Sequence, residues 1–218
     1  MLDALLAAVQ PWMQPAFVVG AVPFTWLELV AVALALAMVV CNIRVIHWGW
    51  PLAIASSLLY FLLFWQYRLY GDAVLQIFFA VVAGWGWWQW LRGRDTSGRA
   101  LAVHRLSARG RALNLLALGL TWPLVGWYLD HYTDTDVPYW DAFPTAASVL
   151  GQFLLGRKLV ENWPVWIVVN GVSVALFVYK DLWLTAGLYL VFIALSVVGW
   201  RAWSRQIEAT SPAQGARR

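Results

Sequence analysis

A tryptophan-rich signature of five residues occurs twice in this chain, as Gly86-Trp87-Trp88-Gln89-Trp90 and as Gly199-Trp200-Arg201-Ala202-Trp203, at an offset of 113 residues. Other matches follow at the same offset without a gap: Arg44 with Arg157, Trp50-Pro51 with Trp163-Pro164, and Arg92 with Arg205. Coincident arginine, Trp-Pro and Gly-Trp positions are difficult to obtain by chance. The chain is therefore predicted to contain an internal repeat, which limits the fold to architectures made of two related units.

The composition places both units in a membrane. Of the 218 residues, 62% are hydrophobic and 12% are charged, whereas globular chains carry about 25% charged residues. A membrane-spanning helix needs roughly 20 apolar residues, so the charged residues mark the limits of the spans. Seven uncharged runs result, the first and fifth of which need their flanking residues: 29–43, 45–67, 73–91, 112–129, 142–156, 162–179 and 182–200. These runs predict an all-α membrane protein with seven transmembrane helices.

Three helices in each unit and one helix between them account for the seven. An odd number of spans would invert the second unit, so a linker helix restores its direction and gives a 3+1+3 parallel repeat. Residues 1–24 are broken by Pro11, Pro15 and Pro23 and are predicted to form an interfacial segment rather than a span. The predicted boundaries are 25–92 for the first repeat, 93–111 for a basic connector, 112–130 for the linker helix, 138–205 for the second repeat and 206–218 for a disordered tail.

The distribution of lysine and arginine predicts the orientation. With the amino terminus outside, 13 of the 15 basic residues lie on the cytoplasmic side, and only Arg68 and Lys180 lie outside. Cytoplasmic loops are enriched in these residues, so the carboxyl terminus is predicted to lie inside. The net charge of +4 is then explained by topology and by contact with an anionic inner leaflet, and the dispersed basic residues argue against a nucleic-acid partner.

The sequence offers no support for an enzyme or a cofactor. Cys41 is the single cysteine, and the three histidines are too scattered for a ligand set with recognisable spacing. No phosphate-binding glycine loop, paired carboxylates or nucleophile with a base is present. The spans also lack an obvious carboxylate for proton or ion coupling, because Glu28 is placed near the outer end of the first helix. Passive or facilitated movement of a solute is therefore favoured over pumping.

Three helix faces could hold a flat, neutral or weakly charged ligand. The sixth helix carries Trp166, Asn170 and Ser173 at positions i, i+4 and i+7, which share a face. Two further stripes lie on the third and seventh helices: Gln76, Ala80, Ala83, Trp87 and Trp90, and Tyr189, Ser196, Trp200 and Trp203. Amides supply donors and acceptors, and indole faces stack on heterocycles or attract cations.

A structural interpretation stands beside the functional one. Tryptophan is enriched at membrane interfaces, so Trp50, Trp90, Trp163 and Trp203 could be belt anchors near the basic inner ends. Amides inside hydrocarbon need a partner, which for Gln76 and Asn170 is either a ligand or a neighbouring helix.

The segment Arg157-Lys158-Leu159-Val160-Glu161-Asn162-Trp163, followed by Trp166 and Asn170, resembles a pattern of the bacterial nicotinamide riboside transporter (PnuC) family and its vitamin-transporting relatives. Supporting segments are Leu69-Tyr70, Leu75-Gln76, Gly86-Trp87-x-x-Trp90 and Pro138-Tyr139-Trp140-Asp141, and the resemblance covers residues 25–205. It implies a homotrimer in the inner membrane with a fold like a doubled small sugar transporter (SWEET-like). It also implies facilitated diffusion of a vitamin for NAD biosynthesis, drawn inward by phosphorylation by a cytoplasmic kinase.

By resemblance, Gln76 and Asn170 bind nicotinamide riboside, and a set of tryptophans stacks on it or closes the pathway: Trp87, Trp90, Trp166, Trp200 and Trp203. The family can carry an amide near Ser57, the repeat equivalent of Asn170, so the serine leaves thiamine and riboflavin open as substrates. A third alternative is a membrane subunit that transports nothing and anchors a partner.

Overall fold

The computed structural model describes residues 2–19, 22–68, 70–95, 97–180 and 183–210. Residues 211–218 of the predicted tail, and Leu69 and Leu182 of the proposed repeat alignment, lie outside the described residues. The chain divides into two compact units, residues 1–88 and 89–218, and each is described by itself.

The amino-terminal segment folds into short elements, as expected from its prolines. A helix α1 (Leu2–Val9) is followed by a 3-10 helix (Gln10–Met13) and by the antiparallel strands β1 (Pro15–Val19) and β2 (Val22–Thr25). Across this hairpin, the Phe17 and Phe24 rings stack with centroids 5.3 Å apart. The hairpin is a local departure from the all-helical prediction, because Val and Phe favour strands and the prolines prevent a continuous helix.

The first unit continues with α2 (Trp26–Ile43), α3 (Gly49–Gln66) and α4 (Tyr70–Arg92), the last of which runs into the second unit. Helix α2 begins with a capping box: the Glu28 backbone N–H donates to Thr25 Oγ1 at 3.2 Å, and the Thr25 backbone N–H donates to Glu28 Oε2 at 2.9 Å. This arrangement satisfies two backbone donors at the start of the helix. Glu28 is therefore a capping residue, in agreement with its expected position at the end of the helix.

The second unit contains the connector and the helices α5 (Ala108–Tyr132), α6 (Pro138–Gly156), α7 (Asn162–Tyr179) and α8 (Trp183–Thr210). Consecutive helices of α5–α8 pack against each other. Helix α8 extends five residues beyond Arg205, where a disordered tail was expected. The residues added, Gln206 to Thr210, include good helix formers, and Ser211-Pro212 follows them in the sequence.

Each of the seven predicted runs coincides with one helix, but the structure does not establish seven spans. Six helical segments in the described part of the chain are long and apolar enough to cross a membrane: Trp26–Ile43, Gly49–Gln66, Ala73–Arg92, Ala108–Tyr132, Asn162–Tyr179 and Thr185–Ala209. The exception is α6, which carries Asp141, Thr145, Ser148 and Gln152. The crossing of α6 therefore stays a prediction.

The loops after α2 and α6 have the same backbone conformation. Val45 and Lys158, which are 113 residues apart, adopt left-handed φ angles of 57° and 54°, a conformation uncommon for residues other than glycine. Six backbone hydrogen bonds within residues 40–52 recur at that offset within residues 153–165. The bounds of α3 and α7 differ by 113 residues at both ends. The repeated sequence thus has a repeated local structure.

Candidate functional site

The face predicted on α7 is present and largely buried. Asn170 and Ser173 are 6% and 5% exposed, and Trp166 is half-buried one turn before Asn170. The side chains of Asn170 and Ser173 make no hydrogen bond to any of the described residues. Because a buried polar group without a partner is unfavourable, both side chains are available for hydrogen bonds to a ligand.

The Trp166 indole packs against α6 at Gly151. A side-chain carbon at Gly151 would lie 3.0 Å from Trp166 Cε2 and 3.3 Å from its Nε1. Glycine at this position therefore allows α6 to approach the ring closely. The indole is held between α6 and its own helix, in a suitable place to present an aromatic surface beside Asn170.

The predicted residues of α8 lie in different environments. The half-buried Tyr189 ring packs against Phe177 of α7 at a centroid distance of 4.9 Å and against Phe192 at 5.8 Å. Trp200 is 43% exposed, whereas Trp203 is 0% exposed. Tyr189 is the α8 residue that the structure places directly against α7.

Trp90, Trp163 and Trp203 form a buried cluster in the second unit. The Trp203 ring lies 6.2 Å from that of Trp90 and 5.5 Å from that of Trp163, and Trp90 Nε1 donates to the Leu155 carbonyl oxygen at 3.0 Å. Trp90 and Trp203, predicted as substrate-stacking residues, are engaged with protein groups here. The cluster is also enclosed rather than lipid-facing, which does not fit the belt-anchor alternative, because the three side chains are 8%, 2% and 0% exposed.

The remaining predicted residues lie on α4 in the first unit. Gln76 and Trp87 are both half-buried, and Trp87 Nε1 is buried without a hydrogen-bond partner among the described residues. On the same helix, Trp50 of α3 fills the space over Gly86, where a side-chain carbon would lie 2.3 Å from the ring. The Trp87 N–H is therefore a further donor that no described protein group satisfies.

Sequence reasoning missed other buried polar atoms in the second unit. Gln152 Oε1, Asn162 Oδ1 and Trp163 Nε1 are buried and have no hydrogen-bond partner in the part of the chain that the structure describes. Gln152 is an uncharged amide within an apolar run, the same signal that identified Gln76 and Asn170. It could have been found by applying that criterion to α6.

The connector lies across the loop between α6 and α7. The Leu106 N–H donates to both carboxylate oxygens of Glu161 at 3.1 Å, and two backbone hydrogen bonds join His104 to Lys158 and Val160. Lys158 Nζ donates to the Leu101 carbonyl oxygen at 3.0 Å. These contacts attach the connector to the segment that carries the Arg-Lys-x-x-Glu-Asn-Trp pattern.

Lys158 is partly desolvated in this loop. Burial lowers the pKa of its ammonium group from the ordinary value, because removal from water disfavours the charged form. Its Nζ lies 5.0 Å from the centre of the Trp90 ring, a cation–π distance that offsets part of that penalty. The lysine charge in the loop is thus held against the tryptophan cluster. Elsewhere in the described residues, no three His, Cys, Asp or Glu side chains are grouped as metal ligands.

Comparison with known proteins gives one family and several relatives. The family model described as nicotinamide mononucleotide transporter matches residues 25–205. The chain is 25% identical over 170 residues to the nicotinamide riboside transporter PnuC of Escherichia coli, covering 66% of this chain and 71% of that protein. It is 28% identical over 192 residues to the riboflavin/roseoflavin transporter RibM of Streptomyces davaonensis, covering 86% of this chain and 89% of that protein.

The fold also has a counterpart among solved structures. The crystal structure of the vitamin B3 transporter PnuC superposes with a TM-score of 0.69 at 22% sequence identity, covering 97% of this chain and 90% of that chain. At this identity the similarity establishes the fold alone.

Proposed function

The chain belongs to the nicotinamide mononucleotide transporter family, and we propose that it carries nicotinamide riboside into the cytoplasm by facilitated diffusion. The observation that carries this proposal is the buried face of α7, where Trp166 stands one turn from the unpaired amide of Asn170. An indole and an amide suit a flat heterocycle with polar substituents. The transporter class of the family argues against an enzyme and against a subunit that only anchors a partner.

In the proposed site, Asn170 and Gln76 donate to or accept from the vitamin, and Ser173 adds a hydroxyl group. Trp166, Trp87, Trp200 and Tyr189 supply aromatic surface. Trp90 and Trp203 support the inner end of the pathway through their packing against Trp163. The positive charge of nicotinamide riboside is then stabilised by ring faces.

The absence of a free carboxylate in the described apolar runs supports facilitated diffusion. Glu28 is occupied by the capping box of α2, and Asp141 pairs with Lys180 at 3.1 Å at the end of α6. Without an ionisable group to couple a proton or a sodium ion, net uptake needs a sink on the cytoplasmic side. Phosphorylation by a cytoplasmic kinase supplies it by adding a charge that prevents return.

We further propose the 3+1+3 parallel arrangement, with α5 as the linker helix, in a homotrimer of the bacterial inner membrane. The repeated hydrogen bonds of the two loops support the duplication. The 13 basic residues predicted on one side support an external amino terminus and a cytoplasmic carboxyl terminus.

Riboflavin is the second candidate substrate. RibM shares 28% identity with this chain over 86% of its length, compared with 25% over 66% for the Escherichia coli PnuC. The uncharged side chains of the site also suit a neutral isoalloxazine ring. Thiamine stays an alternative on the grounds of its aromatic cation.

Intrinsic tryptophan fluorescence of the purified protein, titrated with the three vitamins in parallel, tests the proposal. We expect saturable quenching by nicotinamide riboside that is lost in Asn170→Ala and retained in Thr121→Ala, a substitution of an exposed hydroxyl on α5. Quenching by riboflavin or thiamine alone would replace the substrate and keep the site. No response to any vitamin would contradict the proposed function.

A further inference from the structure

Helix α6 carries a polar stripe that the proposed site does not use. Asp141, Thr145, Ser148 and Gln152 are spaced i, i+4, i+7 and i+11, so they share one face of the helix. All four are half-buried. At their repeat equivalents in α2 stand Glu28, Val32, Ala35 and Val39. Apart from the carboxylate at the end of the helix, the stripe is polar in the second unit alone.

Contacts at both ends of α6 place this stripe beside α7. At the start of the helix, Asp141 accepts hydrogen bonds from Lys180, at the end of α7, at 3.1 Å. Near the other end, Gly151 packs against the Trp166 indole. Gln152 directly follows Gly151, so its Cα lies about 3.8 Å from the glycine Cα. The Gln152 side chain therefore begins next to the proposed aromatic surface.

Gln152 differs from its neighbours in the stripe in its hydrogen bonding. Asp141 is paired with Lys180 and Thr135, and Thr145 Oγ1 donates to the Asp141 carbonyl oxygen at 3.4 Å. Gln152 Oε1 is buried and accepts no hydrogen bond from any described residue. A buried acceptor inside a membrane protein needs a donor, which in a transport pathway is water or the solute.

The residues that contact each other at this depth have exchanged sizes between the units. In the second unit, glycine stands at position 151 on α6 and tryptophan at 166 on α7. Their repeat equivalents are Met38 on α2 and Ala53 on α3. The second unit therefore presents an indole and an adjacent amide where the first presents alanine and Val39, which is consistent with a recognition function confined to the second unit.

We propose that Gln152 is a specificity-determining contact, at which its buried side-chain oxygen accepts an N–H of the vitamin's carboxamide or imide group. The inference rests on the proposed function and adds a selectivity to it. Nicotinamide riboside carries a carboxamide with two N–H donors, and riboflavin carries one imide N–H. An analogue that presents an oxygen acceptor or a methyl group at that place leaves Gln152 unsatisfied and is bound more weakly.

Paired titrations of the full-length purified protein test this contact. We expect the wild type to bind nicotinamide riboside at least about tenfold more tightly than nicotinic acid riboside, which has a carboxylate in place of the carboxamide. Gln152→Met, which preserves the side-chain volume but removes the acceptor, is expected to lose most of this preference. Val39→Met, at the repeat equivalent, is expected to retain it. If riboflavin is the vitamin bound, N3-methylriboflavin replaces the acid analogue.

A second variant keeps the test decisive if Gln152→Met does not fold. Gln152→Glu retains an acceptor oxygen and adds negative charge, so it should bind the cationic riboside and reject the acid analogue more strongly than the wild type does. Unchanged selectivity in the variant that folds, with binding still abolished by Asn170→Ala, would overturn the role of Gln152 and leave the proposed function standing. Failure of the wild type to bind any of the vitamins would overturn both.

Discussion

At the scale of single residues, two glycines allow tryptophan rings to pack between helices. A side-chain carbon would lie 2.3 Å from the Trp50 ring at Gly86 and 2.5 Å from the Trp163 ring at Gly199. Trp50 and Trp163 are 1% and 2% exposed, so neither ring has free space into which to move. Each unit uses the same pair, at the same offset, to bring its second and third helices together.

Gly86→Ala and Gly199→Ala are therefore expected to destabilise the protein. Overpacking of a filled interior costs about 1–3 kcal/mol, which should lower the midpoint of thermal unfolding measured by tryptophan fluorescence. Gly84→Ala is the matched control, because no atom lies within 4 Å of its added carbon and alanine favours a helix over glycine. Equal midpoints for Gly84→Ala and Gly86→Ala would contradict the packing argument.

At the scale of elements, the connector is ordered by the loop between α6 and α7. Its strongest single contact is the Glu161 carboxylate, which accepts the Leu106 N–H with both oxygens at 3.1 Å. Hydrogen bonds to a charged acceptor contribute about 1.5–3 kcal/mol, and partial exposure reduces this value. The loop pattern Arg-Lys-x-x-Glu thus has a structural use, since its lysine and its glutamate both hold the connector.

Removal of this carboxylate should open the connector to proteases. We expect Glu161→Ala to be cleaved by trypsin after the exposed Arg99 and Arg105 about three to ten times faster than the wild type, in proportion to the lost contact. Glu208→Ala, near the end of α8, is the control with the same chemical change at an exposed site. An unchanged cleavage rate in Glu161→Ala would show that the other connector contacts suffice.

At the scale of the whole molecule, the proposed topology follows from the basic residues. The connector, with Arg94, Arg99 and Arg105, is expected inside, whereas the α5–α6 loop, with Asp134 and Asp136, is expected outside. Both segments are exposed in the structure, so accessibility to a reagent reports the side of the membrane.

A membrane-impermeant maleimide distinguishes the two sides. In a Cys41→Ala background, Asp134→Cys should be labelled in intact cells, and Ala102→Cys should be labelled only after the membrane is opened. Both positions are exposed, so lack of labelling before lysis is not explained by burial in the protein. The reverse pattern would invert the proposed orientation, and labelling of both in intact cells would contradict the number of spans between them.

Several features could be predicted from the sequence because they depend on neighbours along the chain. The apolar runs located α2–α8, since charged residues are costly in hydrocarbon and therefore mark helix ends. Asn170, Ser173 and Trp166 were assigned to one face because the helical period is local. The coincidence of Gly86-Trp87 and Gly199-Trp200 predicted a duplication whose loops share their hydrogen bonds.

Other features needed the tertiary structure, because they depend on how helices are rotated against each other. The sequence identified Trp90 and Trp203 as aromatic residues at inner helix ends, but only packing showed that their rings meet each other and Trp163. Likewise, the sequence determined that α6 carries polar residues within a short apolar run. That its polar stripe lies beside α7, with Gln152 next to the Trp166 indole, was decided by the close approach at Gly151, which no periodicity along a single helix contains.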